Sequence, residues 1–163
     1  MRSARLAAVA IVIAALLTAC SSSDGGGSGK PGLTARELAD QLKAAGLPIG
    51  DITVFDEASD PNNQLGRPGQ YTSKAGWVDT RVNAEDAQDT PGDISRGGGI
   101  EVWPNKSKAD TRAKYIRTVT EAMSIPSLKE YDYVSGGYLL RLTFTLTPDQ
   151  AKQYEAEFRR ITA

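Results

Sequence analysis

The stretch YDYVSGGYLLRL, Tyr131 to Leu142, decides how the chain folds. Two alternating runs flank Gly136-Gly137, a pair able to take positive φ and so to close a two-residue hairpin turn. With the glycines in the turn, Tyr133 opposes Leu140 and Tyr131 opposes Leu142 on one face. Val134 then meets Leu139, and Asp132 meets Arg141, on the other. Aromatic residues face aliphatic ones and acid faces base, and a slip by one residue would destroy both patterns. The second strand is expected to run from Tyr138 to Leu146, with Phe144 and Leu146 on the apolar side and Thr143 and Thr145 opposite. One sheet face is then buried and the other at least partly wet. An exposed Asp132–Arg141 pair adds only a few tenths of a kcal/mol.

Working outward, a helix follows the hairpin. Thr147 is its cap, Pro148 its first residue and Gln150 completes a capping box, with Ala151, Tyr154, Phe158 and Ile161 as its apolar stripe. Upstream, Ser107 with Asp110 is the expected cap of a second helix. Its buried face is Ala109, Ala113, Ile116, Thr120 and Met123. Lys108, Arg112, Lys114 and Arg117 lie mostly elsewhere and read as a solvated face, with anionic lipid or wall polymer as the alternative contact. Gly99 to Trp103 reads as a strand. Another is expected between Tyr71 and Val82, interrupted at Gly76, and a third at Ile52 to Phe55. Asn83 to Arg96 reads as a polar loop. The first helix opens with Thr34 and Glu37 as a capping box and closes at Gly46, with Leu38 and Leu42 on one face. The order is α-β-β-β-α-β-β-α. It predicts an α+β two-layer sandwich, a mainly antiparallel sheet with three helices on one face.

The first thirty residues are of another kind. Arg2 and Arg5 precede an apolar run from Leu6 to Ala19, too short for a transmembrane helix and right for a signal-peptide core. The run ends in Leu17-Thr18-Ala19-Cys20, which resembles the lipobox of bacterial lipoproteins. That resemblance implies diacylglyceryl transfer to the Cys20 sulfur and cleavage before it. Two or more acyl chains anchor stably, at about 0.8 kcal/mol per buried CH₂. Ser21 to Gly32 is a Ser/Gly-rich tether reaching on the order of 20 Å. Residues 1–19 are thus read as a signal peptide, 20–32 as lipidated cysteine and linker, and 33–163 as a single α+β domain.

Composition removes several function classes. The net charge is −1, and without Arg2 and Arg5 the remainder carries 17 basic against 20 acidic residues, which argues against nucleic acid as a partner. There is no histidine and one cysteine. A Ser-His-Asp or Cys-His triad, an intramolecular disulfide and the usual zinc sites cannot be built. GSGKP lacks the first glycine, the Ser/Thr and the preceding strand of a P-loop. Asp86, Asp89 and Asp93 do not follow the calcium-loop spacing. Glu101, Glu130 and Asp132 are available for acid–base work, but nothing in the sequence fixes two of them at a working separation. No cofactor and no metal are expected.

The most distinctive segment is DPNNQLGRPGQYTSK, Asp60 to Lys74. Arg67 and Lys74 can bracket an anion or carboxylate, with Tyr71 as a flat contact. The bland reading is that Gly66, Pro68 and Gly69 shape a connection and Arg67 pairs with a carboxylate of the domain. Together with GGGIEVW, YDYVSGGYLLRL and LTPDQAKQYE, the segment resembles uncharacterised small lipoproteins of high-GC Gram-positive bacteria, over most of residues 33–163. That group brings no established activity. The expectation is a non-catalytic, lipid-anchored module on the outer face of the cell membrane. Its partner would be a cell-surface protein, a wall polymer or a small ligand. The alternatives are a carrier holding a lipid or wall precursor between helices and sheet, and, behind it, an enzyme acting on wall sugar or peptide.

Overall fold

The computed structural model describes residues 32–123, 125 and 128–163. The expected leader and tether, with Cys20, lie outside the described residues. The elements are α1 (Ala35–Ala44), β1 (Ile49–Val54), β2 (Ser73–Asp79), β3 (Gly97–Val102), α2 (Lys106–Met123), β4 (Glu130–Ser135), β5 (Tyr138–Thr143) and α3 (Pro148–Thr162). The class is α+β, and the element order is the one read from the sequence. Two short 3-10 turns, Ala84–Asp86 and Ile94–Arg96, punctuate the segment expected to be a plain loop. The five strands form one sheet in the order β1-β2-β3-β5-β4, antiparallel throughout. β5 inserts between β3 and β4, which makes those two strands parallel, and α2 carries the chain across.

Local chemistry explains most boundaries. The Glu37 N–H donates to the Thr34 hydroxyl at 3.2 Å, and the Thr34 N–H donates to the Glu37 carboxylate at 2.8 Å. Thr147 and Gln150 repeat the arrangement at the start of α3. Each box satisfies two donors a helix start otherwise leaves orphaned. The cap of α2 is not Ser107. Asn105 accepts from the Lys108 N–H at 3.0 Å, and Asp110 pairs instead with Lys106 at 2.7 Å. Asn is as good a cap as Ser, and it lies two residues nearer the preceding strand.

The hairpin has the expected register: Tyr131 opposes Leu142, Asp132 opposes Arg141, Tyr133 opposes Leu140 and Val134 opposes Leu139. Gly136 takes φ +54°, a conformation costly for a side-chain-bearing residue. β5 stops at Thr143, short of Leu146. The chain turns there with the Leu146 N–H on the Thr143 carbonyl, so Leu146 stays buried while Phe144 is 41% exposed. Nor is β2 interrupted at Gly76, which pairs with Thr53 on one side and Gly99 on the other. Its missing side chain serves another purpose. A Cβ at Gly76 would run into the backbone of Gly92, and one at Gly99 into Ile94. The bare backbone lets the 90–96 segment lie directly on the sheet.

The helices do not share a face. Tyr138, Leu140 and Leu142 of β5 join Trp77, Ile100 and the apolar stripes of α1 and α3 in one core. Leu139, of opposite parity, joins Ala109, Ala113 and Ile116 of α2 in a second core with Leu65, Tyr71 and Trp103. Successive strand residues point to opposite faces, so α2 covers the side expected to be wet. The fold has three layers: α1 and α3, the sheet, then α2 with the 60–72 and 90–96 segments. α2 presents a narrow stripe of small residues, which seats it closely on the strands. Its last turn overhangs, and Met123, expected inside, is 52% exposed. Each large apolar side chain buried on either face contributes about 1.5–3 kcal/mol. Among the described residues no helix is long and apolar enough to cross a membrane.

Candidate functional site

The face beneath α2 carries charge where strands usually carry apolar groups. Lys74 on β2 opposes Glu101 on β3, and Arg141 on β5 opposes Asp132 on β4. Asp60, from the turn after β1, reaches the same layer and collects donors. It accepts from the Tyr71 hydroxyl at 2.6 Å, Lys74 Nζ at 2.8 Å, and the N–H groups of Gln64 and Leu65 at 2.9 and 3.0 Å. Burial alone would raise the Asp60 carboxyl; these donors outweigh it and hold it well below the usual carboxylate range. Burial lowers the Lys74 ammonium despite Asp60 beside it. Burial, and then Asp60, raises the Tyr71 hydroxyl.

A second cluster centres on Glu101 and Arg141. Glu101 accepts from Arg141 Nη1 at 3.0 Å, from Trp103 Nε1 at 3.2 Å and from Arg112 Nε at 3.3 Å. Arg141 holds Glu130 in a fork, Nε on Oε2 at 2.8 Å and Nη2 on Oε1 at 2.7 Å. Asn62 links the clusters. With its amide oxygen turned inward it accepts from Arg112 Nη2 at 3.1 Å and Lys74 Nζ at 3.2 Å; the reverse orientation would set an NH₂ against two cations. Three cations and three carboxylates thus neutralise one another in a layer largely closed to water. Breaking one such pair strands a charge, at about 3–5 kcal/mol.

Asp132 is the exception. It opposes Arg141 on the expected face, yet no hydrogen bond joins them, because the guanidinium is spent on Glu130 and Glu101. Both Asp132 oxygens are buried without a hydrogen-bond partner. Burial, reinforced by the Glu130 charge and opposed by Arg141 and Arg117, pushes its carboxyl up to about 7.

Over these clusters lies a trench. A cavity of about 250 Å³ is bounded by Gln64, Gln70, Trp103, Lys108, Thr111, Arg112 and Tyr115. A neighbouring one of about 340 Å³ shares Gln64, Arg112 and Tyr115 and extends to Glu130 and Arg141. A third, about 190 Å³, shares Asn62 and Arg141 and ends at Lys74, Asp93 and Ile94. Shared walls join them; the first two run along α2, and the third lies beside the 90–96 segment.

Of the residues singled out from the sequence, Tyr71 and Lys74 come together on Asp60, and Arg67 does not join them. Tyr71 is fully buried, its ring edge-on to Trp103 at 5.3 Å, so it is part of the floor and not a flat contact. Lys74 is engaged by Asp60. Arg67 sits exposed on the turn and makes no ion pair among the described residues, so neither the anion bracket nor the paired alternative forms. The sequence reading passed over Asp60 as an acceptor and Arg112 and Arg141 as a linked pair. The available signal was a lone charge at an inward position in an apolar strand: Lys74 before Ala75, Glu101 in GIEVW and Arg141 in LLRLT. Comparison with protein-family models, curated proteins and solved structures finds no match for the chain.

Proposed function

We propose that the protein is a lipid-anchored, extracytoplasmic binding module whose contact surface is the trench along α2. The observation that carries the reading is Leu17-Thr18-Ala19-Cys20 directly after a signal-type apolar run and before a Ser/Gly tether. The anchor confines the domain to a short leash from the membrane. The chemistry of the trench supports binding over turnover. Its floor charges are committed to one another, Glu101 and Glu130 are held by arginines, and the Asp132 oxygens are shut away from any reacting group. The packed layer beneath α1 and α3, filled by Leu38, Leu42, Trp77, Leu140, Tyr154 and Phe158, weighs against a carrier pocket there.

Two measurements test the proposal. Cys20→Ala should abolish acyl labelling and release the protein from the membrane fraction; retained label and membrane association refute the anchor. A photo-crosslinking residue in place of Tyr115 should capture a surface component in cells, while one in place of Arg36 on α1 should not. Equal capture from both positions, or none from either, refutes the trench as contact surface.

A further inference from the structure

The compartment beside Tyr115 has the composition of a sugar subsite, and we infer that the trench binds a linear, uncharged glycan, with one pyranose ring stacked on Tyr115. The inference rests on the reading of the domain as a binding module, and not on the lipid anchor. Tyr115 is 59% exposed on a helix whose other large apolar residue nearby, Ile116, is buried. The Arg112 guanidinium lies 5.7 Å from the Tyr115 ring and is itself tied to Glu101. One ring face is thereby engaged by a cation held in place, and the exposure of the residue leaves ring surface for a partner. The electron-rich face of an aromatic ring attracts the polarised C–H groups of a pyranose, while the hydroxyls around that ring need planar, two-way hydrogen-bonding groups.

Such groups are present. Gln64 and Gln70 line the same compartment, and neither side-chain amide has a hydrogen-bond partner among the described residues. An amide with no partner among the described residues can donate and accept at once, as a diol requires. The Thr111 hydroxyl stands one helical turn before Tyr115. It donates to the Ser107 carbonyl at 2.8 Å, which keeps its lone pairs available. Trp103 forms the floor.

Size and continuity extend the argument from one ring to a chain. The compartment, about 250 Å³, is below the range of sites for drug-sized ligands and suits a single ring. The adjoining 340 Å³ compartment continues past Tyr115 along the same wall. The floor charges neutralise one another, which leaves Lys108 as the lining cation outside the ion pairs among the described residues and offers an anionic polymer a single partner. A peptide is the weaker fit. Strand addition needs a free length of sheet edge, and the trench reaches the β4 edge only at Glu130.

The test is titration of the full chain, purified in detergent, with cellopentaose, maltopentaose and chitopentaose, followed by calorimetry and tryptophan fluorescence. At least one pentasaccharide should bind. Tyr115→Ala should weaken it by about tenfold or more, and Tyr115→Phe should restore it, since the ring and not the hydroxyl makes the stack. Gln70→Ala should weaken it several-fold with an unchanged thermal midpoint. The inference is overturned if no pentasaccharide binds, if Tyr115→Ala binds as well as the parent, or if a pool of short peptides and no glycan gives a Tyr115-dependent signal. Should the glycans fail while the residue in place of Tyr115 still crosslinks in cells, the ligand assignment falls and the module reading stands. Failure of both removes both.

Discussion

Replacing Asp132 with Asn should flatten the pH dependence of stability near neutrality. The carboxyl is buried without a hydrogen-bond partner on β4, with Glu130, Arg141 and Glu101 from the sheet and Arg117 from α2 as its charged neighbours. Burial first, then Glu130, moves it from 3.8 to about 7. The folded chain therefore holds this proton more tightly than the unfolded chain. The associated stability is fully present below the unfolded value and is lost as pH rises through about 7. At 1.36 kcal/mol per pH unit the displacement corresponds to roughly 4 kcal/mol, and solvent reaching the flank of the residue trims the expected loss to about 2–4 kcal/mol. The chain has no histidine, so no other ordinary side chain titrates between about pH 5 and 7.5 and the window is clean. Urea unfolding at a series of pH values is the assay. The parent should lose stability steadily from mildly acid to neutral pH and then level off. Asp132→Asn, a neutral isostere, should be nearly flat there and the more stable of the two at pH 8. Parallel curves for the two proteins, or a parent as stable at pH 8 as at pH 5, would refute the reasoning. Below about pH 4 the sign reverses, because Asp60 and Asp79 are held low by their donors and lose stability as they protonate.

Lys74→Met should cost about 3–5 kcal/mol, since it leaves Asp60 charged and buried with one donor fewer. The double variant Asp60→Asn/Lys74→Met should recover much of that loss in urea titrations; a double variant no better than the single refutes the stranded-charge account. Gly76→Ala should cost about 1–3 kcal/mol by forcing the Gly92 backbone off the sheet. The corresponding readout is faster tryptic cleavage after Arg96 in the folded protein, and an unchanged cleavage rate would show that the close approach does not hold the segment.

Much of the fold was legible because local chemistry over-determined it. Gly136-Gly137 fixes the hairpin register, since one closing turn leaves one pairing that keeps Tyr131 and Tyr133 on the apolar side. Thr34 with Glu37, and Thr147 with Gln150, announce their helices through contacts only three residues apart. The side of the sheet taken by α2 was not legible. Ala109, Ala113 and Ile116 form a stripe too small and plain to prefer one face, and the choice is made by Leu65, Tyr71 and Trp103, which arrive from distant segments. The polar layer was hidden for the same reason. Lys74 meets an acid fourteen residues back, and Arg141 meets one forty residues back, distances at which pattern carries no pairing information. Tyr71 and Lys74 were singled out for their turn-rich setting, and the structure brings them together for a different reason, a shared buried acceptor.

The insertion of β5 between β3 and β4 has a consequence for the order in which the molecule assembles. Glu130 and Arg141 are eleven residues apart and join across the hairpin itself, which can close within about 1–10 μs. Glu101 is forty residues from Arg141, and their contact must wait until the intervening chain, α2 included, has looped back onto β3. Arg141 is thus a shared partner acquired in two stages, one local and early, one distant and late. The expected kinetic signature is that Glu101→Gln mainly speeds unfolding while Glu130→Gln mainly slows folding. The reverse assignment would mean that β3 recruits β5 before the hairpin has formed.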